Sequence, residues 1–247
     1  MRTANPTLNS KTFTGFSSIA GSSDAMSVQG TVNKTGILLV LALISAAWTW
    51  NMYYTSDSPA AVMPLAIGGA LGGFIVSIIT IFKKQWAPLT APVYALMEGL
   101  FLGGISSIFE AQYPGIVIQA VGLTFGTLWG LLLAYKSGVI KATENFKLGV
   151  VAATGGIAIV YLATMILGFF GMEIPFIHGN GILGIAFSGF VVVIAALNLV
   201  LDFDFIESGA ASGAPKYMEW YAAFGLMVTL VWLYVEILRL LAKLRNR

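Results

Sequence analysis

The sequence predicts an all-α membrane protein of seven transmembrane helices. Of its 247 residues, 57% are hydrophobic and only 10% are charged, whereas soluble domains carry about 25% charged residues. The mean hydropathy is +0.86. Apolar runs of about 20 residues recur along the chain, each long enough to cross about 30 Å of hydrocarbon.

The first 34 residues, Met1 to Lys34, are rich in Ser, Thr, Asn and Gly and lack the apolar run of a signal peptide. They read as a polar, flexible cytoplasmic tail with a short interfacial segment near Phe13 and Phe16. Residues 35–247 read as the transmembrane domain, with spans near 35–54, 60–82, 89–109, 115–135, 148–170, 182–205 and 218–242. The third span holds Pro92, expected in its first turn where proline is tolerated, and Glu98.

Lys and Arg set the orientation. Arg2, Lys11 and Lys34 precede the first span, Lys83 and Lys84 follow the second, Lys136, Lys141 and Lys147 follow the fourth, and Lys216 follows the sixth. The opposite connections carry Asp57, Glu110, Glu173 and His178 but no Lys or Arg. The positive-inside rule therefore puts the N-terminus in the cytoplasm. The basic tail Arg239, Lys243, Arg245 and Arg247 opposes that rule if all seven segments cross. Either the earlier loops dominate, or one segment is re-entrant and the tail returns inside. Seven full spans are the expectation.

Glycines spaced by four residues (Gly69 and Gly73, Gly99 and Gly103, and Gly122, Gly126 and Gly130) predict stripes for close helix packing. A Gly-rich phosphate loop needs a preceding strand, which an apolar helix does not supply.

The inventory narrows the chemistry. With no cysteine, thiolate catalysis, disulfides and Cys-ligated metals are excluded. His178 is the only histidine and reads as a solvated loop residue. No His-Glu-x-x-His or Gly-x-Ser-x-Gly pattern occurs. The expectation is a protein without catalytic residues or an organic cofactor, bound to the lipid bilayer and not to nucleic acid.

Carboxylates inside spans are costly, about 2.5 kcal/mol or more each, and so are functional candidates. Glu98, Asp202, Asp204, Glu219 and Glu236 qualify. The last two spans form a hairpin. Asp202 lies about nine residues before its middle and Glu219 about eight after, so at 1.5 Å per residue they reach nearly equal depth. Such carboxylates can share a proton, sense pH, or together attract a hard cation such as Ca²⁺. The expectation is a gate closed by the shared proton and opened or loaded by the cation. The competing reading makes Asp202, Asp204 and Glu219 solvated interfacial groups. Asn198 is four residues before Asp202 and shares its face, whereas Asp204 points elsewhere. Glu98 is a candidate to line a path at mid-membrane. Glu236 is about 25 Å further along its helix than Glu219, and its expected partner is Arg239 at i,i+3.

The stretch from Leu197 to Ile206, the stretch from Lys216 to Tyr221, and Met97 to Gly103 resemble the bacterial branch of the Bax inhibitor-1 (transmembrane Bax inhibitor motif) family. The resemblance covers roughly residues 30–247. It implies a seven-span protein of the bacterial plasma membrane with a central last helix. It also implies a pH-sensitive calcium leak channel gated by two aspartates on the last two helices. Asp202, with Ile206 four residues on, matches the first of these. Glu219 matches the second through Tyr217-x-Glu219, and a second frame runs through Tyr234-x-Glu236; the depth argument selects Glu219. Asp204 stands where many relatives carry Gln, and the basic C-terminal tail is longer than usual. The alternative function is a non-conducting protein that binds a membrane protease or stress-response complex through its tail and small-residue faces. A third reading, proton-coupled transport, uses the same carboxylates.

Overall fold

The computed structural model describes residues 24–56, 59–171, 179 and 181–246. It contains seven α-helices: α1 Val28–Thr55, α2 Met63–Phe82, α3 Ala87–Gln112, α4 Ile116–Lys136, α5 Glu144–Phe169, α6 Ile182–Ala211 and α7 Met218–Arg245. Each is long and apolar enough to cross a membrane. No strand occurs among the described residues beyond one isolated bridge. The expected Asp57, Glu173 and His178 loop positions, Phe13, Phe16, Arg2, Lys11 and Arg247 lie outside the described residues.

Boundaries differ from expectation where polar residues mark the membrane surface and not the end of a helix. α1 begins at Val28, not at 35, because Ser27 caps it: the Ser27 hydroxyl accepts from the Gly30 N–H at 2.9 Å. The hydroxyls of Thr31 and Thr35 donate to carbonyls one turn back, so this polar start remains helical. A helix of 28 residues spans about 42 Å at 1.5 Å per residue and outruns the hydrocarbon. α3 begins at Ala87, so Pro92 lies inside the helix and not in its first turn. α6 continues to Ala211, past the expected 205, and Gly213, at φ 65°, provides the left-handed turn beyond it.

The described residues divide into two compact units, one of 24–114 with 204–228, the other of 115–203 with 229–246. In the first, α3 packs on both α1 and α2. Gly99 sits on Ala42 and Ser45, Gly103 on Ala46 and Thr49, and Gly104 on Ala66, so backbones approach closely. Thr80 of α2 donates to Thr90 of α3 at 2.8 Å, satisfying a buried hydroxyl. In the second unit, Ile157, Val191 and Ile194 form a buried cluster backed by Phe187, Leu197 and Trp232.

The glycines of α4 correct the expectation. A Cβ at Gly122, Gly126 or Gly130 would meet nothing within 4 Å. Four-residue spacing defines a face, but not what covers it, and here no other part of the described chain does.

The end of α7 lies beside the starts of α4 and α6. Arg245 donates to Gln119 at 3.1 Å, and Lys243 to the Gly184 carbonyl at 3.1 Å and Ser188 at 2.9 Å. These contacts put the basic tail at the end of its unit where α4 and α6 begin. α7 is also the most buried helix, with 56% of its apolar window inside against 11–39% for the others.

Candidate functional site

Glu219 stands in the first turn of α7 and is fully buried. Its carboxylate reaches the start of α1. The Ser27 N–H donates to Oε1 at 3.0 Å and the Ser27 hydroxyl donates to the same oxygen at 2.9 Å. Lys34 Nζ lies 2.9 Å from Oε2, and its ammonium stands 5.9 Å from the Trp220 ring centroid. Gly30 makes the room, since a Cβ there would strike the Glu219 carboxylate. Glu219 is thus an anion on the N-terminus of α1, where unpaired amides and the helix dipole favour negative charge, and it has a lysine as counter-charge.

The chain just ahead of α1 continues the contact. Met26 N–H donates to the Ala214 carbonyl at 2.6 Å and Lys216 N–H donates to the Asp24 carbonyl at 2.8 Å. Ala25 and Pro215 therefore form an antiparallel bridge, and Met26 is 3% exposed. These contacts belong wholly to the first unit.

Glu98, half-buried in α3, accepts a hydrogen bond from Tyr94. Its Oε1 would lie 2.8 Å from a Cβ at Gly73 of α2. Tyr94 in turn meets Phe224 edge-on at 4.8 Å. Asp204 belongs to the same unit and is half-buried.

Asp202 and Asn198 belong to the second unit. Asp202 is fully buried, in contrast to Asp204, as expected of positions two apart on a helix. Asn198 spends both amide hydrogens, donating to Thr154 of α5 at 2.9 Å and to the Ile194 carbonyl at 2.8 Å. It fastens α6 to α5.

Glu236 pairs with Arg239, whose Nη1 lies 3.1 Å from Oε1 and 3.3 Å from Oε2. Tyr161 of α5 completes the cluster by donating to Glu236 Oε1 at 3.0 Å and accepting from Arg239 at 3.1 Å. Tyr161→Phe removes both links and leaves the ion pair, so the expected loss is about 1 kcal/mol. Arg239→Met strips a buried carboxylate of its counter-charge and costs more, about 2 kcal/mol, because the arginine is itself part-exposed. Thermal unfolding in detergent reads both, and equal losses would mean that the ion pair adds nothing.

Among the described residues, no group of three or more His, Cys, Asp or Glu side chains is placed to hold a metal ion. Both Glu219 oxygens are engaged, so a cation meeting this carboxylate competes with Lys34. Sequence reasoning missed Ser27, Tyr94, Thr154 and Tyr161 and used Lys34 only for orientation. The cap motif of Ser27 ahead of an apolar run was the one readable signal.

The family model described as Bax inhibitor 1 like matches residues 5–246. The chain belongs to the Bax inhibitor 1 like family. Comparison with curated proteins and with solved structures gives no match. Family membership makes this a membrane protein of the Bax inhibitor type. The match runs through both Tyr217-x-Glu219 and Tyr234-x-Glu236, and their surroundings distinguish them. Glu236 pairs with a residue of its own helix, whereas Glu219 holds a different helix by its end.

Proposed function

We propose that this Bax inhibitor 1 like protein is a pH-sensitive cation leak channel, with Ca²⁺ as the favoured ion. It would sit in a bacterial plasma membrane with a cytoplasmic N-terminus. The observation that carries the reading is the fully buried Glu219, held by Lys34 and by two donors of Ser27. A carboxylate in such a position couples its charge to helix packing. Asp202 serves as the second titratable group, and Glu98 and Asp204 supply oxygen and negative charge suited to a hard cation.

The sign of the pH response follows from Lys34. A bare pair of carboxylates would close on a shared proton. With Lys34 as partner, the ionised carboxylate is the clamped form, and protonation removes the attraction. Leak therefore rises as pH falls. Among the described residues, Lys216 and Asp24 meet by a main-chain bond beside the clamp, and Tyr217 lies two residues before Glu219.

Liposomes loaded with a Ca²⁺ indicator test this from pH 7 down to about pH 4, toward the range where a carboxylate held by an ammonium takes up its proton. Wild type should leak faster at the acidic end. Glu219→Gln, which keeps an acceptor for Ser27 but carries no charge, should leak at pH 7 faster than wild type does there. Asp202→Asn should lower flux at both ends. Absent flux, or a Glu219→Gln variant that retains the full pH response, would sink the reading. The second reading, a non-conducting interaction protein, draws on the uncovered Gly122, Gly126 and Gly130 face, which suits a helix of another chain. It predicts no flux in any variant.

A further inference from the structure

The last turns of α7 gather three cations, Arg239, Lys243 and Arg245, around one acid, Glu236. The other acids among the described residues of this unit, Glu144 and Asp202, stand where α5 begins and α6 ends, away from this cluster. Arg239 is only partly used by its neighbours. Its two contacts with Glu236 and its bond to Tyr161 all leave from Nη1. Among the described residues, the Nε–Nη2 edge of the guanidinium therefore meets no partner. That edge carries two parallel N–H donors, a fork that matches two oxygens of a phosphate. The side chain keeps 40% exposure, so the fork is within reach of a ligand.

Lys243 follows Arg239 by four residues and shares its face of α7. Cations in a last helical turn suit the helix dipole by themselves, which accounts for Lys243 and Arg245 but not for Arg239, one turn earlier. The surroundings indicate where a phosphate would come from. A helix of 28 residues is about 42 Å long and outruns about 30 Å of hydrocarbon, so the last turns of α7 reach the headgroup layer. Ile118, Ile182, Leu183 and Leu244 flank the contacts of Lys243 and Arg245 in sequence and are exposed. A free anion would satisfy the fork alone, whereas an anion carrying acyl chains also covers the apolar side chains. We infer that Arg239, with Lys243 and Arg245 supplying positive potential, binds the phosphate of an anionic phospholipid headgroup. This site lies outside the leak-channel reading and does not depend on ion conduction.

Native mass spectrometry of the full chain in detergent tests the site by counting retained phosphatidylglycerol or phosphatidylcholine of identical acyl chains. Wild type should retain phosphatidylglycerol at about ten-fold lower concentration than phosphatidylcholine, the effect of one charge-assisted contact. Two variants keep the net charge of the protein and so leave general electrostatic attraction unchanged. Glu236→Met/Arg239→Met removes the pair without stranding a buried carboxylate, and Arg239→Lys keeps the charge but loses the fork. Both should lose most of the preference for phosphatidylglycerol while retaining phosphatidylcholine as wild type does. Equal retention of the two lipids by wild type, or an unchanged preference in either variant, overturns the site. Displacement of phosphatidylglycerol by inorganic phosphate alone would mark a free-anion site and overturn the lipid assignment. Because no flux is read, a failure of the leak-channel reading leaves these outcomes as they are.

Discussion

Lys34→Met lowers the unfolding free energy of the detergent-solubilised protein by about 3 kcal/mol, and adding Glu219→Leu to it restores most of the loss. The first change leaves a fully buried carboxylate without its counter-charge while Ser27 still donates to it. Breaking a buried ion pair on one side costs about 3–5 kcal/mol, and the lower end applies because the Lys34 side chain keeps 22% exposure. The double change replaces two charges by two apolar side chains of similar size, which buried pairs often tolerate. Ser27 then loses its acceptor, but it is exposed and water can serve it. The Glu219→Leu single variant, which strands an ammonium that can still reach water, falls in between. The interaction energy from this cycle should exceed about 1 kcal/mol. Additive losses would show that Lys34 and Glu219 do not act as a pair, and the proposed link between pH and packing would go with them.

The seven helices were legible because lipid imposes one rule everywhere: a long apolar run must satisfy its backbone internally. Helix ends were less legible. At Thr31, Asn33 and Lys34 polarity marks water, yet the Ser27 cap carries α1 through them. Contact distance in sequence explains the site. Arg239 was foreseen as partner of Glu236 because three residues on a helix fix their proximity. Tyr161, 75 residues from Glu236, was not. Ser27, 192 residues from Glu219, is further still, and no periodicity connects an N-cap to the first turn of another helix. The sequence depth argument singled out Glu219 without revealing Lys34, the ammonium on which the proposed sign of the pH response rests.

Gly103→Ala should abolish the folded protein, whereas Gly126→Ala should leave it within about 0.5 kcal/mol of wild type. Both glycines belong to four-residue stripes, and by sequence alone they are equivalent. In α3, however, a Cβ at position 103 would press on the Thr49 hydroxyl and on the Ala46 carbonyl and Cα, and one at 99 on Ser45 and the Ala42 carbonyl. Thr49 cannot turn aside freely, because its hydroxyl donates to the Ser45 and Ala46 carbonyls. The remaining contacts are to backbone, which has no rotamer to change. α1 and α3 must therefore separate along the length that holds Gly99, Gly103 and the carboxylate Glu98. Overpacking of a single side chain costs about 1–3 kcal/mol, and displacing a whole helix pair exceeds that. At 126 the added methyl meets open space. Size-exclusion profiles and unfolding midpoints of Gly103→Ala, Gly99→Ala and Gly126→Ala decide the matter, and a well-behaved Gly103→Ala would refute the close α1–α3 approach. A Gly126→Ala variant that folds and conducts, yet loses a cross-linked partner seen with wild type, would show that the uncovered face of α4 serves assembly while the ion path lies elsewhere.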